Sequence, residues 1–198
     1  MIAWWTTPVL AALLPTPVLA HTTIPGIGSF SAAFAHVTME PPAALALLGL
    51  GLLAGMHDAA TLKWTWAAFL AAMAAGVALT LVIGVIADPE LPLLLVALVS
   101  GVATASGLGL PKVAAGAVGV LAGAVFGTFA TPAPASWSTQ AYFVSGGIIG
   151  ANFALIWIAS AVAMARERWP VQVVFIGLRV AASWVAAIAA LLAALATR

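Results

Sequence analysis

Phe34 to Leu50 reads FAHVTMEPPAALALLGL. A His, a Glu and two prolines stand directly against an apolar run. Two readings compete: His36 and Glu40 begin a metal site, or they mark the entrance to a helix. A residue that precedes proline avoids the helical region, so Glu40 is not expected to share one helix face with His36. Pro41 suits the first helical position, and a carboxylate beside a helix N-terminus is stabilised by the macrodipole. The stretch therefore reads as a helix entrance with Glu40 near the cap. A residual His36/Glu40 ligand set is the alternative.

The kind of helix that begins there is decided by composition. The chain has 198 residues, of which 65% are hydrophobic and only 6% charged, with a mean hydropathy of +1.21. Soluble domains carry about 25% charged residues. This chain has too little polar surface to face water, and the bilayer is the solvent that fits. The net charge of +1 and the lack of a basic patch exclude a nucleic-acid partner. Cysteine is absent, which removes disulfides, thiolate metal sites and Cys nucleophiles.

Upstream, residues 1–20 read MIAWWTTPVLAALLPTPVLA. An apolar middle, Pro15 and Pro17, and the small-residue end Val18-Leu19-Ala20 describe a cleavable signal peptide, although no Lys or Arg precedes the apolar core. Cleavage after Ala20 would start the mature chain at His21, outside the cytoplasm; an uncleaved first membrane helix is the alternative.

Downstream, apolar segments are cut by charges and prolines into Pro41 to Met56, Trp64 to Ala87, Leu91 to Leu110, Lys112 to Ala130, Gln140 to Ala165 and Val171 to Ala196. The expected fold is all-α: a single integral membrane domain over 21–198, a polytopic bundle of about six transmembrane helices, the first of them short. With the start outside, Lys63, Lys112, Arg166 and Arg168 fall in cytoplasmic links, and Asp88 and Glu90 fall in a periplasmic one. Only Arg198 breaks this positive-inside pattern. The expected location is the inner (cytoplasmic) membrane of a bacterium with the mature N-terminus periplasmic. Trp64, Trp66 and Trp169 at one boundary and Trp137 at the other are placed as interface anchors.

Packing and chemistry are legible in a few positions. Gly119, Gly123 and Gly127 recur every four residues, as do Gly146 and Gly150. Small residues at this spacing let membrane helices approach closely, so they are expected to pack the bundle internally, with a pore face or a subunit contact as alternatives. Polar groups at membrane depth are functional candidates. Asn152 and Arg179 lie in the last two segments and are expected either to form an intramembrane hydrogen-bonded pair or, for Arg179, to snorkel to the cytoplasmic face. The adjacent His57-Asp58 reads as a solvated helix end. No strand–turn–helix serine motif and no phosphate loop is present, and the chain is not expected to be an enzyme.

The order of features resembles the HupE/UreJ family of hydrogenase and urease accessory membrane proteins. The resemblance is carried by a signal peptide ending in Ala-His-Thr, a Gly-x-Phe-x-x-x-Phe-Ala-His segment from Gly28 to His36, small-residue helices, Ala141-Tyr142, and Leu178-Arg179. It implies a six-helix inner-membrane protein linked to uptake of nickel or a related metal. The family's H-P-x-x-G-x-D-H motif corresponds here to His36 through Ala43, with Pro42 and Ala43 at the Asp and second His positions. The family's F-H-G-x-A-H-G-type motif falls on VFGTFATPAPAS, which holds no His. Imidazole and carboxylate are the groups that hold divalent nickel, so the family's metal site is expected to be degenerate here. What remains is His36, Glu40 and the new N-terminal His21, whose amine and imidazole could chelate Cu(II) together with His36. A non-enzymatic accessory subunit that binds another membrane protein, or a second copy of itself, is the alternative. A pore for a small neutral solute lined by Ser100, Thr104 and Ser106 is a third reading.

Overall fold

The computed structural model describes residues 28–84, 88–131 and 136–197. The described residues form seven helices and no strand. They are α1 (Ser29–Met39), α2 (Pro41–Gly55), α3 (Ala59–Ile83), α4 (Glu90–Ser106), α5 (Lys112–Phe129), α6 (Trp137–Arg168) and α7 (Gln172–Ala196). Four of them, α3, α5, α6 and α7, are long and apolar enough to cross a membrane. The pair α1 and α2 passes the same test jointly but bends by 65° at Glu40, and α4 is a shorter apolar helix of 17 residues. The all-helical membrane-type architecture is therefore as expected. The expected first span corresponds to α2, and a second short helix runs into it.

α2 organises the bundle. Eleven of its 15 residues are buried, and only the strip of Pro41, Ala44, Leu45 and Leu48 is left partly or fully open. Pro41 and Pro42 start it without loss, because the first-turn amides have no intrahelical acceptor. Around it pack chiefly α4 and α6, with smaller contacts to α7 and α1. Gly49 lies against Ala97 and Ser100 of α4, and Gly51 and Gly55 lie against Ile158, Ala159 and Val162 of α6. At 15 residues α2 is shorter than a membrane span by itself, and it reaches span length only together with α1. At the other extreme α7 buries only Ala182, Val185, Ala186 and Ala189 and turns Val173, Ile176, Val180 and Trp184 outward.

The glycine repeats are internal contacts. Gly119, Gly123 and Gly127 of α5 bring its backbone onto Thr65, Phe69 and Met73 of α3. Gly146 and Gly150 of α6 seat the backbone of α1 at Phe30 and Phe34. Gly107 ends α4 in the left-handed region at φ 68°, where glycine carries no Cβ penalty. Asp58 caps α3 by accepting from the Thr61 amide at 3.1 Å. Hydrogen bonds from the Thr61 hydroxyl and amide hold the Asp58 carboxyl below the usual carboxylate range.

Candidate functional site

The break between α1 and α2 carries a His–carboxylate pair. His36 Nδ1 donates to Glu40 Oε2 at 2.6 Å. This overturns the expectation that Glu40 turns away from His36. Glu40 has φ −63° and ψ 126°, so its ψ leaves the helix as a residue before proline should. Its φ, however, is helical, and its amide still bonds the His36 carbonyl at 3.2 Å. φ places a residue's own Cβ, and ψ redirects only the residues after it. The i,i+4 relation therefore survives at Glu40, and the chain departs one residue later at Pro41. The His36 ring stacks on Phe129 at the end of α5, with centroids 4.2 Å apart, and leans toward Phe143 of α6 at 6.0 Å. The pair is thus held between three helices and remains partly exposed, at 23% and 31% of the two side chains.

A metal needs more than two donors. Among the described residues no three His, Asp, Glu or Cys side chains come together. His21, the third expected ligand, lies outside the described residues, as do the signal-peptide residues. Within the described part His36 and Glu40 are the donors that share a site.

Asn152 and Arg179 are not brought together. Asn152 Oδ1 accepts from the Trp66 indole at 3.0 Å, while its amide donates to Ile148 O at 2.9 Å and approaches Met73 Sδ at 3.7 Å. Arg179 Nε and Nη2 donate to Ala105 O and Ser106 O, at 2.8 and 3.1 Å. Depth is the reason. Asn152 is sixteen residues from the end of α6 and Arg179 seven from the start of α7, roughly 24 and 10 Å along their helices. Asn152 instead ties α6 to α3, and Arg179 closes the C-terminus of α4. Replacing Asn152 with Leu leaves the Trp66 N–H without an acceptor, and we expect stability to fall by about 1–3 kcal/mol. Thermal unfolding in detergent reads this directly, and a melting point equal to wild type would show that Trp66 finds another partner.

Two residues at the same end of the bundle do more than their sequence positions suggest. His57 is not simply solvated. Its Nδ1 meets Leu53 O at 2.7 Å and its Nε2 meets Leu110 O at 3.1 Å, linking the last turn of α2 to the α4–α5 connection. Arg166 Nη1 donates to Gly55 O and His57 O, at 2.8 and 2.9 Å, and its guanidinium lies 5.8 Å from the Phe175 ring. A cation at a helix C-terminus complements the macrodipole, and α2 and α4 each receive an Arg from a neighbouring helix. Neither contact has a local signature, because the partners are separated by more than fifty residues in sequence.

The hydroxyls that suggested a pore face are tied to their own helix. Ser100 donates to Val96 O at 2.6 Å and Thr104 to Ser100 O at 2.8 Å, and both are buried. Ser100 also lies against Gly49 of α2.

No protein-family model matches the chain, and no curated protein and no solved structure matches it.

Proposed function

We propose that the protein is a HupE/UreJ-like accessory protein of the bacterial inner membrane, concerned with metal handling, whose metal site is reduced to the His36–Glu40 pair. The carrying observation is the position of that pair. It sits at the 65° break of a bent helix pair, close to where the resemblance places the family's metal motif. Broken helices are a recurrent way to present ion-binding groups inside a membrane protein. A six-span topology with α4 and the bent pair each crossing once, and a periplasmic mature N-terminus, completes this reading. His21, freed by cleavage after Ala20, would be the third donor for a divalent ion such as Ni or Cu.

A two-donor site gives little to replace an ion's hydration shell. The proposed role is therefore accessory rather than that of a permease. Expression in nickel-limited cells is expected to leave nickel accumulation at the level of the empty-vector control. Saturable uptake that disappears in His36→Ala would overturn the reduced-site reading.

The second reading, a non-enzymatic subunit of a membrane complex, draws on the outward apolar face of α7. The glycine faces give it no support, since Gly119, Gly123, Gly127, Gly146 and Gly150 are used within the chain. Recovery of a stoichiometric partner from native membranes would favour it over metal handling.

A further inference from the structure

Arg179 is an exposed cation on a helix whose other exposed side chains, Gln172 and Ser183 apart, are apolar. It stands about 10 Å along α7 from Gln172, within reach of a membrane interface for an arginine stem. Among the described residues no carboxylate pairs with it, the ion pair there being His36–Glu40. Its two hydrogen bonds go to Ala105 O and Ser106 O, which use Nε and Nη2. A guanidinium has five N–H donors, so most of its donor capacity is left for an acceptor outside the helix pair.

The surroundings hold the group in place. Gly107 lets the guanidinium lie against the chain, since a Cβ there would come within 2.7 Å of Arg179 Cζ. Two carbonyls of a helix C-terminus then fix its plane. Beside it runs a shallow groove of about 330 Å³ lined by Ala105, Ile176, Arg179, Val180 and Ser183. The groove is apolar along its length, with the guanidinium and the Ser183 hydroxyl as its polar features. An occupant that suits it is an anion with an apolar body, near an interface and facing lipid.

We propose that the groove between the end of α4 and the first turns of α7 binds an anionic phospholipid, with the phosphate on Arg179 and an acyl chain along Ile176 and Val180. A planar guanidinium recognises phosphate through paired N–H donors, and its carbonyl contacts already fix its orientation. Binding neutralises a cation that would otherwise face the low-dielectric edge of the bilayer alone. The inference rests on α7 lying in a bilayer and is independent of the metal-handling reading.

The test is thermal unfolding of the purified full chain in a neutral detergent, with phosphatidylglycerol, phosphatidylcholine or inorganic phosphate added. Near-saturating phosphatidylglycerol is expected to raise the melting temperature by about 5 °C, and the other two to leave it unchanged. Arg179→Gln should lose the shift. Because that variant also loses the α4 cap, Ser183→Phe provides a second arm. Ser183 is exposed, so Phe is accommodated toward lipid while it fills the groove and leaves the Ala105 and Ser106 contacts intact. It too should lose the shift. An equal phosphatidylglycerol shift in wild type and Ser183→Phe would overturn the proposal. So would the same shift from inorganic phosphate, which would mean a free-anion site, or from phosphatidylcholine, which would mean general lipid solvation.

Discussion

Gly123→Val is expected to lower the melting temperature by about 10 °C or to prevent folding. Overpacking a core typically costs about 1–3 kcal/mol, and more where the neighbour cannot move. Here the neighbour cannot. A Cβ on Gly123 would press into the Phe69 carbonyl, which belongs to the α3 backbone rather than to a side chain that could rotate away. Relief requires α3 and α5 to separate along their length. Separation would also open the contacts at Gly119 and Gly127, where the facing atoms include the carbonyls of Thr65 and Met73. It would further part Phe69 from Phe126, whose rings meet edge to face at 5.7 Å. A loss of about 3 kcal/mol or more corresponds to roughly 10 °C in a chain of this size. The control is Gly177→Ala, where nothing lies within 4 Å of the added carbon. Within a helix that change is worth about 0.5–1 kcal/mol in the stabilising direction. If Gly123→Val melts with wild type while Gly177→Ala behaves as described, the α3–α5 contact is not what holds the bundle.

The glycine contacts are legible in the sequence because a four-residue period names a helix face. What the face meets need not be known for the spacing to indicate close approach. Pro41 and Pro42 are legible as a helix start for a similar reason, since proline at the first position acts on its own backbone. The helix before them is harder to read. SFSAAFAHVTM carries a short apolar stripe, Phe30, Ala33, Phe34 and Val37, but it is only 11 residues long and rich in serine and alanine. It winds as α1 because Gly146 and Gly150 of α6 leave room for it, and that information lies more than a hundred residues away. A similar distance hides the partners of Asn152. A polar residue at depth announces that it needs a hydrogen bond, but its type does not say whether an arginine or a tryptophan supplies it. Counting turns across a connection draws Arg179 to Asn152. The carbonyls at the end of α4 are invisible to that count, because every helix ends in unpaired carbonyls whatever its sequence. At His36 and Glu40 the difference is one of backbone detail. The rule for residues before proline constrains ψ, and the position of the Glu40 side chain depends on φ.

Arg166→Met is the second large effect expected, and it arises from those same unpaired carbonyls. Arg166 Nη1 serves Gly55 O and His57 O, the two acceptors at the point where α2 turns into the link before α3. Met keeps most of the apolar stem, so packing changes little and the loss is in hydrogen bonding. Two acceptors at least partly withdrawn from water lose their donor, and hydrogen bonds to charged groups are worth about 1.5–3 kcal/mol each. The complement to the C-terminal dipole of α2 is also lost, which adds about 0.3–1 kcal/mol. Against this, Arg166 Nε is buried with no partner among the described residues, and removing it recovers some desolvation. Water can also reach part of the link, since Asp58 beside it is exposed. The balance is a loss of about 2–3 kcal/mol, or roughly 6–8 °C. Arg166→Lys should recover part of it, because an ammonium can reach one carbonyl but lacks the fixed fork. Arg168, exposed two residues on, is the control, and Arg168→Met should melt within about a degree of wild type. Amide exchange separates a local cap from a general charge effect. In Arg166→Met it should quicken at Met56 and His57 and stay slow at the buried Ala46, Leu47 and Leu50 of α2. Coincident melting of the Arg166 and Arg168 variants would mean that the two carbonyls are served by water instead, and that α2 ends without help from α6.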